Sequence, residues 1–212
     1  MQKIVMPQKP TSRAWRKKHF TNDGIGHIRG YAGLVHTANQ ISEYIPKCHL
    51  FVEPFAGLGR ISKVVKADIK ILNDKSDYAY AYLQKHIPEA VICQMDWYEF
   101  THRYIDGDVF FFDPVWSEIE YKEGCLERSF CDRSVKEYYE QVLKFVKELT
   151  ELEKLCFVTG NKNNSYLKKS SLYTILIHAR QKIMGGRIST LLASNKPLTR
   201  YHQTELQSSE KL

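Results

Sequence analysis

The feature that most constrains this chain is the alternation, from His49 onward, of short apolar runs with stretches of helical periodicity. Runs of four to seven mostly apolar residues suit buried strands, whereas apolar positions repeated every three or four residues indicate helices. Strands that alternate with helices form βαβ units and a parallel sheet. We predict strands over His49–Phe55, Lys70–Asn73, Ala90–Met95, Asp108–Phe112 and Lys154–Val158, and helices over Thr37–Tyr44, Gly59–Val65, Asp77–His86 and Ser134–Glu151.

Two further apolar segments extend this pattern toward the end of the chain. Tyr173–Ile183 and Arg187–Ala193 flank Met184-Gly185-Gly186, which predicts two strands joined by a glycine turn at the edge of the sheet. A chain of 212 residues suits a single domain. We therefore predict a basic arm over 1–27, one domain over 28–197 and a polar tail over 198–212.

Cysteine usage and hydropathy exclude several classes of protein. The five cysteines are odd in number and none forms a CxxC pair, so neither a zinc site nor a disulfide framework is predicted, and we expect no metal. The first residues form no apolar run of the kind that a signal peptide contains, and no stretch reaches the roughly 18 apolar residues that a membrane helix needs, so we expect neither segment. We expect no membrane association and a reducing, cytoplasmic location.

The charge balance favours a polyanionic partner. Lysine and arginine number 31 against 24 acidic residues, a formal net charge of +7, and a basic surface attracts nucleic acid. Arg13, Arg16, Lys17 and Lys18 cluster around Trp15, and basic residues interleaved with aromatic ones can hold a phosphate backbone and stack a base. A solvated tail is the alternative interpretation of the same cluster.

A glycine-rich turn follows the first predicted strand. Phe51–Gly59 reads Phe-Val-Glu-Pro-Phe-Ala-Gly-Leu-Gly, and its two glycines let the backbone approach a ligand at the carboxyl end of a parallel strand. Asp74 ends the next strand 17 residues after Gly57, close to the spacing of about 20 at which a carboxylate binds ribose hydroxyls. A tight structural turn and a helix-capping aspartate are the alternatives.

The usual phosphate-binding motifs are missing after this turn. Gly59 is followed by Arg60, Ile61 and Ser62, so the sequence completes neither GxGxxG nor the P-loop GK[ST]. A nucleoside cofactor without a pyrophosphate therefore fits better than a dinucleotide or ATP. S-adenosylmethionine is such a cofactor.

Farther along the chain, the predicted apolar strand Asp108–Phe112 ends in Asp113-Pro114-Val115-Trp116. A strand-ending turn with a core tryptophan is one interpretation. The other is chemical. The exocyclic amine of adenine is a poor nucleophile, and a carboxylate together with a backbone carbonyl can accept its N–H bonds and free its lone pair. We assign the Asp113 side chain and the Pro114 carbonyl to this role.

Taken together, these segments resemble the adenine-specific DNA methyltransferases that carry a Phe-x-Gly-x-Gly loop ahead of an Asp-Pro-Pro-Tyr motif. The resemblance spans roughly residues 28–197. It implies a Rossmann-like class I methyltransferase fold of the α/β class, with a mostly parallel central sheet, an antiparallel C-terminal strand and helices on both faces. The matching segments, in the family's order, are Phe51–Gly59, Asn73-Asp74, Asp96-Trp97, Asp113–Trp116 and Leu191–Asn195.

The resemblance also implies the roles of individual residues. S-adenosylmethionine is the expected cofactor, and Asp96 would contact its adenine amine. Trp116 would stack on a base that is flipped out or already single-stranded, and the amine would attack the sulfonium methyl in line. The cofactor-binding set is Tyr31, Glu53, Pro54, Phe55, Gly57, Gly59, Asp74, Asp96 and Trp97, the catalytic set is Asp113, Pro114, Val115 and Trp116, and the nucleic-acid set is Arg13, Arg16, Lys17, Lys18 and Trp116.

The sequence departs from this family at three places. Val115 replaces the second proline, no Gly-Gly-Lys motif occurs near Tyr31, and only about 50 residues separate Gly59 from Asp113, which leaves no room for an inserted recognition domain. Site recognition would then come from the basic arm, from Ser117–Arg133, from a second copy of the chain or from a separate specificity partner. The alternative is that the protein has little sequence specificity. DNA is favoured over RNA. The alternatives are cytosine N4 or an RNA base as target, or a methyltransferase-like domain that binds nucleic acid without turnover.

Overall fold

A computed structural model of the protein describes residues 37–114, 134–180 and 187–201. In this part of the chain seven strands form one sheet in the order β3-β2-β1-β4-β5-β7-β6. The strands are β1 (Cys48–Glu53), β2 (Ala67–Asn73), β3 (Val91–Cys93), β4 (Val109–Phe112), β5 (Leu155–Asn161), β6 (Tyr173–Arg180) and β7 (Arg187–Ser194).

The sheet is parallel except at β7. The pairs β1–β2, β2–β3, β1–β4 and β4–β5 are parallel, whereas β7 runs antiparallel to both β5 and β6. The strand order reverses between β1 and β4, so the chain departs in opposite directions from two neighbouring strands and leaves a crevice at their carboxyl ends. This topology confirms the predicted Rossmann-like class I methyltransferase fold with its antiparallel C-terminal strand.

Five helices among the described residues cover both faces of the sheet. Alternate residues of β4 point to opposite faces, so Phe111 packs with α1 and α2 while Phe110 and Phe112 pack with α3 and α4. None of these helices has the length and apolar content needed to cross a bilayer. The helices are α1 (Ala38–Ser42), α2 (Asp77–His86), α3 (Trp97–Arg103), α4 (Val135–Glu151) and α5 (Ser165–Lys169).

The longest helix, α4, begins where the sequence predicts. The Ser134 hydroxyl accepts a hydrogen bond from the Glu137 N–H, and the Glu137 carboxylate accepts one from the Ser134 N–H, which forms a capping box. Its apolar residues recur at helical spacing and bury one face, including Val142, Phe145 and Leu149, against the sheet. Helix α2 also has the predicted bounds, with Ser76 as its N-cap.

The predicted helix over Gly59–Val65 is wrong. The segment is a series of turns in which the Lys63 N–H donates to the Gly59 carbonyl, but the Val64 N–H donates to Ile61, only three residues back. Gly59 has φ of +63°, which a right-handed helix cannot include. The strand before it ends at Glu53, because the chain turns at Pro54.

Two short helices, α3 and α5, are absent from the sequence-based prediction. Both begin after a side-chain cap that the sequence contains. The Asp96 carboxylate accepts a hydrogen bond from the Tyr98 N–H, and the side-chain Oδ1 of Asn164 accepts one from the Leu167 N–H. The predicted pair of C-terminal strands is confirmed as β6 and β7, while the residues of the predicted glycine turn lie outside the described ranges.

Replacing Gly59 by alanine tests the packing of the turn after β1. A Cβ there would lie 2.3 Å from Ile87 Cδ1 and 2.9 Å from Leu83 Cδ2, on a backbone with positive φ. We expect Gly59→Ala to lower the free energy of unfolding by about 2–3 kcal/mol in urea denaturation. Ile87→Val removes the nearer methyl group. The loss of unfolding free energy in the double variant should therefore be smaller than the sum of the losses in the two single variants. Strict additivity would contradict this packing.

Candidate active site

The candidate site is the crevice between the turn after β1 (residues 54–59) and the two residues after β4 (113–114), which we call the β1–β4 crevice. The register pairs Phe51 with Val109 and Val52 with Phe110. Beyond these pairs β1 ends at Glu53 and β4 ends at Phe112, and adjacent strands lie about 4.8 Å apart. Asp113 directly follows β4 and its charge raises the pKa of Glu53, so Asp113 lies near the start of the glycine-rich turn.

Asp74 holds this turn in shape. Its carboxylate accepts the Gly57 N–H at 2.8 Å and the Ser76 N–H at 3.0 Å, and Gly57 has φ of +52°. The N-cap of α2 is Ser76, so the helix-capping alternative for Asp74 does not apply. These two bonds fix the Asp74 carboxylate between the glycine-rich turn and the start of α2.

A buried amide joins the ends of three strands. Asn73 Nδ2 donates to the Pro54 carbonyl at 3.1 Å and to the Met95 carbonyl at 3.0 Å, and its Oδ1 accepts the Met95 N–H at 3.0 Å. The Asn73 backbone carbonyl also accepts the Ala56 N–H at 2.8 Å. This side chain therefore fixes the loops after β1 and β3 relative to β2.

Glu53 is a buried carboxyl group at the end of β1, only 2% exposed. Burial raises its pKa well above the usual range, the hydrogen bond from the Ser62 hydroxyl lowers it, and the nearby Asp113 and Asp74 raise it further. The raised pKa favours the neutral form of Glu53, so the negative charge beside the turn comes from Asp74 and Asp113. A cation bound in the β1–β4 crevice would be stabilised by these two carboxylates.

Asp113 is half-buried, and its Oδ1 accepts a hydrogen bond from the Thr159 hydroxyl of the neighbouring strand β5. Thr159 is fully buried, and its hydroxyl lies 3.4 Å from the Phe112 carbonyl. Strand β5 thereby orients the carboxylate. Pro114 is buried, and Val115 and Trp116 lie outside the described residues.

Asp96 is another acidic residue at this end of the sheet, and it is the last residue of the loop after β3. Its Oδ1 lies 2.9 Å from the Tyr98 nitrogen and caps α3. Trp97 is 4% exposed, and its ring lies 5.3 Å from Phe55 and 6.4 Å from Phe112. Its indole N–H has no hydrogen-bond partner among the described residues. The Trp97 side chain is therefore part of the core beneath the turn.

The remaining predicted residues divide into two groups. Gly59 is buried against Leu83 and Ile87, so its missing side chain serves packing of the turn against α2. Tyr31 and the arm residues Arg13, Arg16, Lys17 and Lys18 lie outside the described ranges. In the described part of the chain no three His, Cys, Asp or Glu side chains are grouped as metal ligands.

Three residues that shape the site have no role in the sequence-based prediction. Ser62 contacts Glu53, Thr159 contacts Asp113, and the Asn73 side chain links the loops. Each is a polar residue inside or beside an apolar segment. A polar side chain at a buried strand position requires a hydrogen-bond partner, and that requirement is the one signal by which the sequence marks Thr159 and Asn73.

No family model matches this sequence, and no curated protein does. Solved structures do resemble the fold. A conserved hypothetical protein of Streptococcus pyogenes is 17% identical with a TM-score of 0.45, covering 76% of this chain and 94% of its own. A Bacillus subtilis tRNA methyltransferase is 12% identical with a TM-score of 0.49 over 76% of this chain and 66% of its own. A precorrin-6y C5,15-methyltransferase of Geobacter metallireducens is 8% identical with a TM-score of 0.48 over 75% of this chain and 86% of its own. At this level of similarity the activities of those proteins do not transfer to this chain.

Asn73→Asp tests the buried link between the loops. The change replaces the amide donor by an acceptor that faces the Pro54 and Met95 carbonyls. We therefore expect the free energy of unfolding, measured by urea denaturation at pH 7, to fall by about 3 kcal/mol. Protonation would restore one donor, so the loss should shrink near pH 4. The exposed Asn163→Asp should change the unfolding free energy by less than about 0.5 kcal/mol. Equal losses in both variants would contradict the link.

Glu53→Gln tests the buried carboxyl group. Because the folded-state pKa of Glu53 is raised, the folded protein binds more protons than the unfolded one above about pH 4.5, and wild-type stability falls as pH rises toward that folded pKa. Glutamine keeps an acceptor for Ser62 and does not titrate. We expect the unfolding free energy of Glu53→Gln, relative to that of the wild type, to increase with pH by at most about 1.4 kcal/mol per pH unit in urea titrations from pH 4.5 to 8. Exposed Glu89→Gln should give no such growth, and a flat difference for Glu53→Gln would refute the assignment.

Proposed function

We propose that the protein transfers a methyl group from S-adenosylmethionine to an exocyclic amine of a nucleic-acid base, with adenine N6 in DNA as the first candidate. The observation that carries the proposal is the position of Asp113. Its carboxylate follows β4, accepts a hydrogen bond from Thr159 and lies near Glu53, the residue that directly precedes the glycine-rich turn. A methyl donor and an amine could thus meet across one strand spacing.

The charge of the crevice supports this cofactor. S-adenosylmethionine carries a positive sulfonium and a positive ammonium group. Four carboxyl groups lie at the carboxyl ends of four neighbouring strands, because Glu53 is the last residue of β1 and the other three follow β2, β3 and β4, namely Asp74, Asp96 and Asp113. Asp74 would bind the ribose hydroxyls, Asp96 the adenine amine, and the turn from Pro54 through Gly57 the methionine part. A cation beside Glu53 would also favour loss of its proton.

The chemistry follows from acceptors and geometry. The Asp113 carboxylate and the Pro114 carbonyl would accept the two N–H bonds of the amine, which directs its lone pair at the sulfonium methyl. The N–C bond would form as the C–S bond breaks, and the electron pair of the C–S bond would remain on sulfur. The extra proton on nitrogen would then pass to Asp113 or to water. Catalysis is then positioning and electrostatic stabilisation, without a covalent intermediate.

Two other functions use the same residues. The acceptors at Asp113 and Pro114 would serve cytosine N4 or a base in RNA equally well. Val115 in place of the family's second proline favours a domain that binds nucleic acid without turnover, because proline stiffens a loop and valine does not. Recognition of a sequence would come from the basic arm, from Ser117–Arg133, from a second copy of the chain or from a separate partner.

Asp113→Asn tests the proposed catalytic acceptor. The amide keeps the shape and loses an acceptor for the amine, so we expect methyl transfer to DNA or RNA oligonucleotides to fall by about 10²–10³-fold. Calorimetric affinity for S-adenosylmethionine should change little. Asp106→Asn removes an equal charge from the exposed loop before β4 and should leave transfer unchanged. Full activity in Asp113→Asn would refute the site, and nucleoside analysis of the wild-type product would identify the base.

A further inference from the structure

Charge is segregated along this chain in a way that follows the sheet. Residues 37–154, which build β1 to β4 and α4, contain 15 basic and 21 acidic residues. Residues 155–204, which build β5, β6 and β7, contain no Asp or Glu at all. Their eight basic residues are Lys162, Lys168, Lys169, Arg180, Lys182, Arg187, Lys196 and Arg200.

Some of these basic residues lie at the same end of the sheet as the β1–β4 crevice, the end at which the parallel strands terminate. Strand β5 ends at Asn161, which pairs with Thr190, while β7 begins three residues earlier, at Arg187. The pair formed by β6 and β7 therefore projects about 10 Å beyond the carboxyl end of β5. The register makes Arg180 and Arg187 partners at this projecting end.

Lys162 continues the basic edge toward Asp113. It follows β5 directly, it is exposed, and no carboxylate among the described residues pairs with it. Since β5 is the neighbour of β4, Lys162 lies between the projecting end of β6–β7 and the crevice. We call the end of the sheet at which the chain places Lys162, Arg180 and Arg187 the β5–β7 basic edge.

We propose that the β5–β7 basic edge binds the phosphate backbone of a polynucleotide, single-stranded or locally opened, whose base enters the β1–β4 crevice. The choice of polymer rests on the proposed function. The crevice carries several carboxyl groups and repels phosphate, while the basic edge attracts it. A polynucleotide matches this division, because its bases carry amines and its backbone carries regularly spaced negative charge.

Charge reversal at the two ends of the sheet tests this proposal. Lys162→Glu combined with Arg187→Glu alters the basic edge. Lys47→Glu combined with Lys196→Glu makes the same change in net charge near the amino ends of β1 and β5, at the opposite end of the sheet. Binding is measured on the full chain by fluorescence anisotropy with labelled 20-nucleotide single-stranded DNA, duplex DNA and RNA, at several salt concentrations. Thermal unfolding checks that both variants are folded.

We expect the basic-edge variant to bind at least about tenfold more weakly than wild type, with a log–log salt slope smaller by about two. The control should stay within about twofold of wild type. Equal losses in both variants would overturn the proposal, as would unchanged binding in the basic-edge variant or binding to phosphatidylserine vesicles but to no polynucleotide. Edge-dependent binding in a protein that transfers no methyl group would refute the proposed function and leave this surface assigned.

Discussion

The parallel pairing of β1 with β4 is the constraint on which the rest of this structure depends. The two strands lie next to each other although two other strands separate them in the chain, so their connections leave the sheet in opposite directions. A crevice at this edge is therefore a consequence of topology, and the residues that follow each strand become its walls.

The walls of this crevice are maintained by polar contacts within the protein. Asn73 links the loops after β1 and β3, Asp74 holds the Gly57 N–H, and Thr159 orients Asp113. These contacts join β2 and β5 to the chain segments that follow β1, β3 and β4, which a ligand would touch. A site held in this manner does not require the ligand to order it, which lowers the entropic cost of binding.

Much of the fold could be predicted from the sequence, because strands and long helices depend on periodic burial. The apolar runs that become β1, β4 and β5 have no plausible solvated form, and the Ser134–Glu137 cap marks the start of α4. The turn at 59–65 could not be predicted, since its apolar residues also fit a helix. Packing of Gly59 against Ile87, a residue of a different element, decided between the two.

The sequence by itself determined the α/β class, the order of the strands along the chain, and the acidic and glycine-rich residues that end them, because these follow from local composition and hydrophobic period. Only the tertiary structure decided which residues meet. Asp113 and Thr159 are 46 positions apart in the chain, and Asn73 and Met95 are 22 apart. Such contacts depend on the order of strands in the sheet. So does the separation of an acidic crevice from a basic edge, because local sequence does not encode which strand lies beside which.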